Sequence, residues 1–449
     1  MKSIRKMLNK TNPVPRHLSR FNYSEGLWVA FLLLFPLFSF SQNLTIETCQ
    51  ENAKTNYPLV KQYGLIEQTV EYNISNANKG YLPQLSFSAK ASYQSDVTAI
   101  PALLAPKDPS GKPISIPSLP KDQYQAVLEA SQLIWDGGVI STQKKITYAG
   151  MQVEKQKLEV DLYTLKDRVN QLFFGILLLN EQLKQVDILN NDLKTNYDKV
   201  AALIQNGIAY QADLDAIKVE QINSKQRESD IKNSRQTYNR MLSALTGIEI
   251  NDQTVLIKPD VDLSVLKENS NNRPELGLFD AQCKLFESQK LLLNAANLPK
   301  LGAFVQGGYG QPGLNMFTTG FSSFYLGGIR LSWNLSGLYS QKNNVSKLDI
   351  SKKTVEIQKE TFLFNNNLVT KQQQNEIDKL QSTLTNDDEI IQLRTNIKNA
   401  TSAKLDNGTA STSDLVRDLD AENQARQLKS LHEIQLLMTI YQLKSNVNN

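Results

Sequence analysis

Two hydrophobic patterns alternate along the chain, and this pair of patterns occurs twice. In four short segments apolar and polar side chains alternate with a period of two, which predicts strands with one apolar and one polar face. These segments span about residues 85–97, 123–135, 302–310 and 323–333. After each pair of segments the pattern changes to narrow apolar stripes at helical spacing, with almost no glycine or proline. The chain is therefore predicted to be an α+β protein with long helices and few strands.

The helical stretches predict two hairpins, at residues 139–246 and 337–445. As a helix, the first long arm (139–205) would extend about 100 Å at 1.5 Å per residue. The second (338–407) contains neither glycine nor proline and would extend about 105 Å. Each returning arm has only about 35 residues, so the shorter helix before each strand pair must stack on it to match the long arm.

A nine-residue motif, N-G-x-A-x-x-x-D-L, occurs where each long arm would end. Its two copies lie at residues 206–214 and 407–415. Glycine after asparagine favours the left-handed conformation that ends a helix. The acidic residues of the motif, Asp213 and Asp414, would lie near the positive start of the next helix. Capping of that helix is by itself a sufficient role for them. The motif therefore predicts the tips of the two hairpins.

The repetition divides the chain into two copies of one unit. We expect the first copy to span residues 42–247, with its tip at 206–209. The second is expected at 273–449, with its tip at 407–410. Residues 248–272, rich in Asn, Asp and Ser, are predicted to be the linker between them.

Residues 1–41 are predicted to be a signal peptide. Six basic residues precede an apolar run from Leu27 to Phe40, and small residues at 39 and 41 offer a cleavage site. The alternative, a membrane anchor, is disfavoured because the run contains Pro36 and falls short of the about 20 residues that span a bilayer. The segment also holds the basic excess of the chain, whose formal charge is +4. Without a basic patch elsewhere, no nucleic-acid partner is expected.

Residues suited to catalysis or metal binding are sparse. The cysteines, Cys49 and Cys283, fall at non-equivalent places in the two copies, so that free thiols are favoured over a disulfide. His17 and His432 are the only histidines, and no glycine-rich phosphate loop follows a predicted strand. The chain is therefore predicted to be no enzyme, to hold no metal and to need no cofactor.

The four strands allow two environments. Half-apolar strands with aromatic residues towards their ends are typical of a membrane barrel, and equally of a small soluble sheet. The export signal and the long helices favour the membrane. In lipid a four-stranded sheet would expose two unpaired edges, and closed barrels start at about eight strands. At least two chains must then share one barrel, and three would leave room for a channel. An exported coiled-coil scaffold or adhesin stalk without a pore is the alternative.

The order helix–strand–strand–long helix–tip–helix, present twice, resembles the TolC family of outer-membrane channel proteins. The resemblance covers nearly everything after the signal peptide. It is carried by the two tip motifs and by three further segments: Tyr81-Leu82-Pro83-Gln84-Leu85, Trp135-Asp136-Gly137-Gly138 and Asn272-Arg273-Pro274-Glu275-Leu276.

This resemblance implies a homotrimer with a twelve-stranded β-barrel in the outer membrane of a Gram-negative bacterium, continued by an α-helical barrel in the periplasm. It implies an exit duct of a tripartite efflux pump or a type I secretion system. The implied partners are outer-membrane lipid, a periplasmic adaptor (a membrane fusion protein) and an inner-membrane transporter of the RND or ABC class.

The resemblance also implies roles for residues at the tips. The adaptor-docking residues would be Asn206, Gly207, Ile208, Asn407, Gly408 and Thr409. The residues that narrow the resting aperture would be Asp213, Asp414, Arg417 and Asp418. The chain departs from the family pattern where a tyrosine and an arginine help to hold some members shut, because Leu405 and Ala410 stand there.

Overall fold

The structure of the protein is a computed structural model that describes residues 43–97, 101, 106–114, 118–260, 271–315 and 317–447. The predicted signal peptide lies outside the described residues. The described residues belong to one compact unit. Its helices are α1 (Ile46–Asn56), α2 (Gln62–Lys79), α3 (Val139–Gln205), α4 (Gln211–Thr246), α5 (Pro274–Ala296), α6 (Gly337–Asp406) and α7 (Thr412–Val447). Its strands are β1 (Asn43–Leu44), β2 (Gln84–Tyr93), β3 (Asp122–Trp135), β4 (Val255–Leu256), β5 (Lys300–Gln311) and β6 (Ser322–Ser332).

Four strands form one antiparallel sheet in the order β2-β3-β5-β6. The first predicted strand was expected to reach about residue 97, which is wrong: β2 ends at Tyr93. Tyr93 pairs with Asp122, the first residue of β3, and the strand pairing ends there. The backbone N–H of Gln94 instead donates to the carbonyl of Lys121 at 2.9 Å and closes the pair.

A second, two-stranded sheet was not predicted. Asn43 and Leu44 of β1 pair in parallel with Val255 and Leu256 of β4, inside the segment expected to be a plain linker. Strands of two residues show no measurable period, and their partners lie far apart in the sequence. This pair ties the start of the described chain to the segment between the two copies.

Two helices of 67 and 70 residues, α3 and α6, organise the remaining ones. Near the sheet the neighbours follow the order α2-α3-α5-α6. Towards the tips α3 lies between α4 and α7, and α7 also packs along α6. The sheet follows the same order as the helices beside it, because α2 leads into β2 and β6 leads into α6.

The main hydrophobic core lies where α1, α3, α4 and α7 meet the β1–β4 pair. Phe173 and Phe174 are fully buried there, and Cys49 is buried beside them. Cys283 is half-buried on α5, and both cysteines are free. Burial, with Glu47 nearby, raises the pKa of the Cys49 thiol to about 12, so this thiol stays protonated at neutral pH. A second apolar cluster lies next to the tips and joins the two hairpins.

Candidate functional site

The first tip closes with paired backbone hydrogen bonds around Gly207. This glycine has φ +72°, a left-handed conformation. Its N–H donates to the carbonyl of Ile204, and the N–H of Ile208 donates to that of Leu203, each at 2.9 Å. These are the two bonds of a Schellman motif, which ends a helix and reverses the chain.

The second tip repeats this geometry around Gly408, which has φ +69°. The N–H of Gly408 donates to Leu405 at 3.0 Å, and that of Thr409 donates to Lys404 at 2.9 Å. In both tips the three residues from the asparagine onward are exposed. The structure thus places the six residues expected to dock the adaptor on two matching turns.

The helices that follow the tips begin with different caps. At the second tip, Ser411 and Asp414 form a reciprocal capping box. At the first tip, Asp213 accepts a hydrogen bond from the N–H of Tyr210 at 3.0 Å, and the Tyr210 side chain is 80% exposed. Both acids of the repeated motif therefore cap a helix.

The residues expected at the aperture fall into two groups. Arg417 is exposed and pairs with Asp414 at 3.1 Å. The hydrogen bond from Ser411, with help from Arg417, holds the pKa of the Asp414 carboxyl below its ordinary value. Asp418 is buried between α6 and α7 and accepts a hydrogen bond from Thr401 at 2.7 Å. Arg417 nevertheless reaches both acids, because its Nε lies 3.8 Å from Oδ1 of Asp418.

A buried charge network on α7 escaped the sequence analysis. Glu422 accepts hydrogen bonds from Thr395 at 2.7 Å and from Arg426 at 2.6 Å, and it pairs with Lys398 at 2.7 Å. Burial alone would raise the pKa of this carboxyl, but the hydrogen bonds from Lys398, Thr395 and Arg426 outweigh burial and lower the pKa to about 2. The glutamate is therefore ionised across the physiological range.

Two lysines connect the hairpins close to the tips. Lys398 of α6 also pairs with Asp192 of α3 at 3.2 Å. Lys199 of α3 pairs with Asp406 of α6, the last residue before the second tip. Sequence spacing gives no sign of these pairs, because their members belong to different repeats. They fix the second tip against the first within one chain.

At the other end of the molecule the sheet has one strongly apolar face. Within the described chain it is left largely uncovered, although Phe321, just before β6, stacks on Tyr124 and Tyr309. Ten large side chains on this face are between 47% and 84% exposed. They are Leu85, Phe87, Tyr93, Tyr124, Leu128, Val305, Tyr309, Tyr325, Ile329 and Leu331. A continuous apolar face on a sheet whose other face is largely polar is the arrangement of a transmembrane barrel wall.

The described residues show no arrangement that suggests catalysis. They contain no group of three or more His, Cys, Asp and Glu side chains that could hold a metal ion. None of their helices is both long enough and apolar enough to cross a membrane. His432 contacts Asp387 at 2.6 Å between α6 and α7 of the second hairpin.

Comparison with known proteins gives one family match, over part of the chain, and one shared fold. Residues 51–248 match the family described as Outer membrane efflux protein. The CmeC outer membrane channel of Campylobacter jejuni is similar, with 15% identity, a TM-score of 0.60 and coverage of 90% of this chain and 85% of that chain.

The outer membrane protein VceC of Vibrio cholerae has 12% identity, a TM-score of 0.60 and coverage of 89% of this chain and 94% of that chain. The open-state MtrE outer membrane channel of Neisseria gonorrhoeae has the same identity and TM-score, with coverage of 90% and 88%. No curated protein matches the chain. At these identities the solved structures show the fold, and they confirm the predicted α+β class with long helices.

Proposed function

We propose that this chain is an outer-membrane efflux channel of the TolC family. In this proposal it forms a closed ring of three copies and contacts a periplasmic adaptor through its hairpin tips. Its function is that of an outer-membrane exit duct of an efflux system, with the helical part in the periplasm. The protein is a passive channel and not an enzyme. Channels of this family work with adaptors and inner-membrane transporters.

The uncovered apolar face of the sheet is the observation that supports the ring. Its outer strands, β2 and β6, each have one unpaired edge. An unsatisfied backbone group in lipid costs several kcal/mol, so such edges must pair. Four strands are too few to close on themselves, whereas three copies provide twelve strands and room for a channel.

The helices at the two ends of the layer also have free apolar stripes. Every large apolar side chain that is more than half exposed in residues 337–370 of α6 lies within an arc of about 40°, counted at about 100° per residue. These side chains are Tyr339, Ile350, Ile357, Phe364 and Leu368, and they lie opposite the buried Val355. On α2, Leu65 and Tyr72 lie opposite the buried Val70 in the same way.

The connections between helices and strands bring these stripes together in a ring. Because α2 leads into β2 and α6 follows β6, pairing β6 of one copy with β2 of the next places α6 beside α2. Both stripes are then removed from water in the same step. An exported coiled-coil scaffold is not favoured, because it would give no role to the apolar face of the sheet.

At the tips, we assign adaptor docking to Asn206, Gly207, Ile208 and their counterparts Asn407, Gly408 and Thr409. Ile208 is 59% exposed at the turn itself, which offers an apolar contact to a partner helix. The narrowing of the aperture is assigned to Asp213, Asp414 and Arg417, and Asp418 acts from inside the hairpin. The expected partners are a membrane fusion protein and a transporter of the RND or ABC class, in drug or metal efflux or in type I secretion.

Membrane fractionation of the native host, followed by size determination of the detergent-extracted protein, tests this proposal. We expect the protein in the outer-membrane fraction, with the mass of three chains and a loss of that mass on heating. A soluble periplasmic monomer would overturn the ring, the barrel and the pore together.

The docking assignment has a separate test in the assembled ring. Gly207→Asp and Gly408→Asp are expected to reduce adaptor cross-linking and efflux while leaving the oligomer intact. Unchanged adaptor cross-linking in both variants would contradict docking at the tips.

A further inference from the structure

The polar face of the sheet carries an uneven set of charges. Within the four strands β2, β3, β5 and β6, the charged side chains on this face are Lys90, Glu129, Lys300 and Arg330. Three cations therefore accompany one carboxylate. If the proposed ring forms, on which this inference rests, the apolar face contacts lipid and these charges line the lumen.

Arg330 is held in place by two neighbours. Its Nη1 lies 3.6 Å from Oε1 of Glu129, and its guanidinium carbon lies 4.5 Å from the centre of the Phe304 ring. The Phe304 ring in turn lies against Gly328, where the absence of a Cβ leaves room for it. Arg330 is nevertheless 57% exposed, so its charge reaches the aqueous side of the sheet.

The charge of Lys90, unlike that of Arg330, is not balanced by a neighbouring carboxylate. This lysine lies on the edge strand β2, opposite Gln125, and has no ion-pair partner among the described residues. Ring closure would bring β6 of another copy beside it, but the polar-face positions of that strand include Phe324, Leu326, Gly328 and Arg330 and no acid. The closing strand therefore brings no acid on its polar face that could neutralise Lys90.

We propose that Lys90 and Arg330 give the barrel lumen a positive potential that concentrates anionic solutes and disfavours cationic ones. Like charges repeated around a narrow pore reinforce one another, because the low-dielectric wall focuses their field. Rings of basic side chains are a common basis of anion preference in pores. The favoured solutes are small molecules that carry carboxylate, phosphate or sulfate groups.

A local chemical measurement tests this without depending on how far the tips are open. Cysteine is placed at Ser88, two residues from Lys90 on the polar face, in a Cys283→Ser background in which the buried Cys49 remains. The full-length oligomer in lipid vesicles is treated with membrane-impermeant thiosulfonate reagents, one anionic and one cationic. The ratio of their modification rates reports the potential beside Lys90.

We expect the anionic reagent to react about three to ten times faster, after normalisation to a free thiol. Lys90→Gln should lower this ratio by about twofold or more, and Glu129→Gln should raise it. Arg330→Gln should lower it less, because the sheet register places Arg330 farther from Ser88. Lys379→Gln removes the same charge from an exposed position on α6 and should leave the ratio unchanged. Every variant is compared only after it migrates as the same oligomer as the parent.

Two outcomes would overturn the proposal, and they can be told apart. A Ser88→Cys site that reacts readily, but with the same ratio in Lys90→Gln and Arg330→Gln, would overturn the positive lumen and leave the channel standing. Cysteine at Ala89, on the apolar face, is the control for orientation. If it reacts with the impermeant reagents as fast as cysteine at position 88, the barrel itself is wrong, and the lumen potential falls with it.

Discussion

The two hairpins share their tips and nearly their length, yet their interiors are held together differently. Between α3 and α4 lies a small apolar cluster of Leu183, Val186 and Ile231. Between α6 and α7 an apolar cluster of the same size, formed by Ile377, Ile440 and Leu443, is accompanied by several buried polar contacts. They include Thr401 with Asp418, Thr395 with Glu422, Asp387 with His432 and Asn366 with Asn446.

The two kinds of contact contribute differently to stability and to the alignment of the helices. Apolar contacts contribute stability in proportion to the area they bury but specify alignment weakly. Directional pairs contribute less net stability, because charges and amides must first lose water, but they fix one alignment of the two helices. We therefore expect the first hairpin to depend mainly on packing, and the second to depend on charge and pH.

The largest effect is expected in the main core, where α3 of the first hairpin is most deeply buried. Phe173→Ala removes a fully buried ring from α3 and leaves a cavity in the main core. The free energy of unfolding should fall by about 3–5 kcal/mol. Guanidinium unfolding of the detergent-extracted protein measures it. Val219→Ala, at a half-exposed position on α4, is the control and should change stability by less than about 0.5 kcal/mol. Equal losses in both variants would contradict a packed core around Phe173.

A smaller loss of stability is expected in the polar seam of the second hairpin, which is the set of polar contacts between α6 and α7. Glu422→Gln leaves Lys398 and Arg426 without their shared carboxylate. Because Lys398 keeps Asp192, the loss should be about 2 kcal/mol, below the range for a fully buried pair. Glu389→Gln, at an exposed position on α6, is the matched control and should have almost no effect. If the two variants unfold at the same denaturant concentration, the network does not stabilise the seam.

The same glutamate predicts a dependence on pH. Its pKa of about 2 in the folded protein is below the ordinary value of 4.5. Its contribution to stability is therefore fully present above about pH 4.5 and is lost as the pH falls towards 2. Thermal unfolding between pH 7 and pH 3 should show a smaller loss of stability in Glu422→Gln than in the parent. Parallel curves for the two proteins would show that another group is responsible.

The smallest loss of stability is expected at the two tips, and it should be equal in the two hairpins. Gly207→Ala and Gly408→Ala each force a side chain into the left-handed conformation, although no atom lies within 4 Å of the added Cβ. Each should cost about 1 kcal/mol. Gly150→Ala, inside α3 and equally unobstructed, should instead stabilise the helix by up to about 1 kcal/mol. A clear difference between the stability losses of Gly207→Ala and Gly408→Ala would mean that the two tips are alike only in their backbone geometry.

The sequence was most informative where structure is local. A period of two and long stretches without proline predict strands and helices, and Asn-Gly predicts the left-handed turns at residues 207 and 408. The parallel pair of β1 and β4 and the bonds of Glu422 could not be predicted in the same way. They depend on the rotation and alignment of helices that are distant in sequence. Asp418 is an example, because a shift of one position along α7 decides whether a side chain points towards α6 or towards the surface.

The unbroken course of α3 and α6 from the sheet to the tips has a consequence for how the chain can change length. Inserting one residue anywhere along either helix rotates everything beyond it by about 100° and carries the tip out of alignment with its neighbours. An insertion of seven residues, close to two full turns, nearly restores the original orientation of the helix faces. A lasting change in the reach of the channel would therefore require insertions of about seven residues in each long helix, matched in the helices stacked beside it.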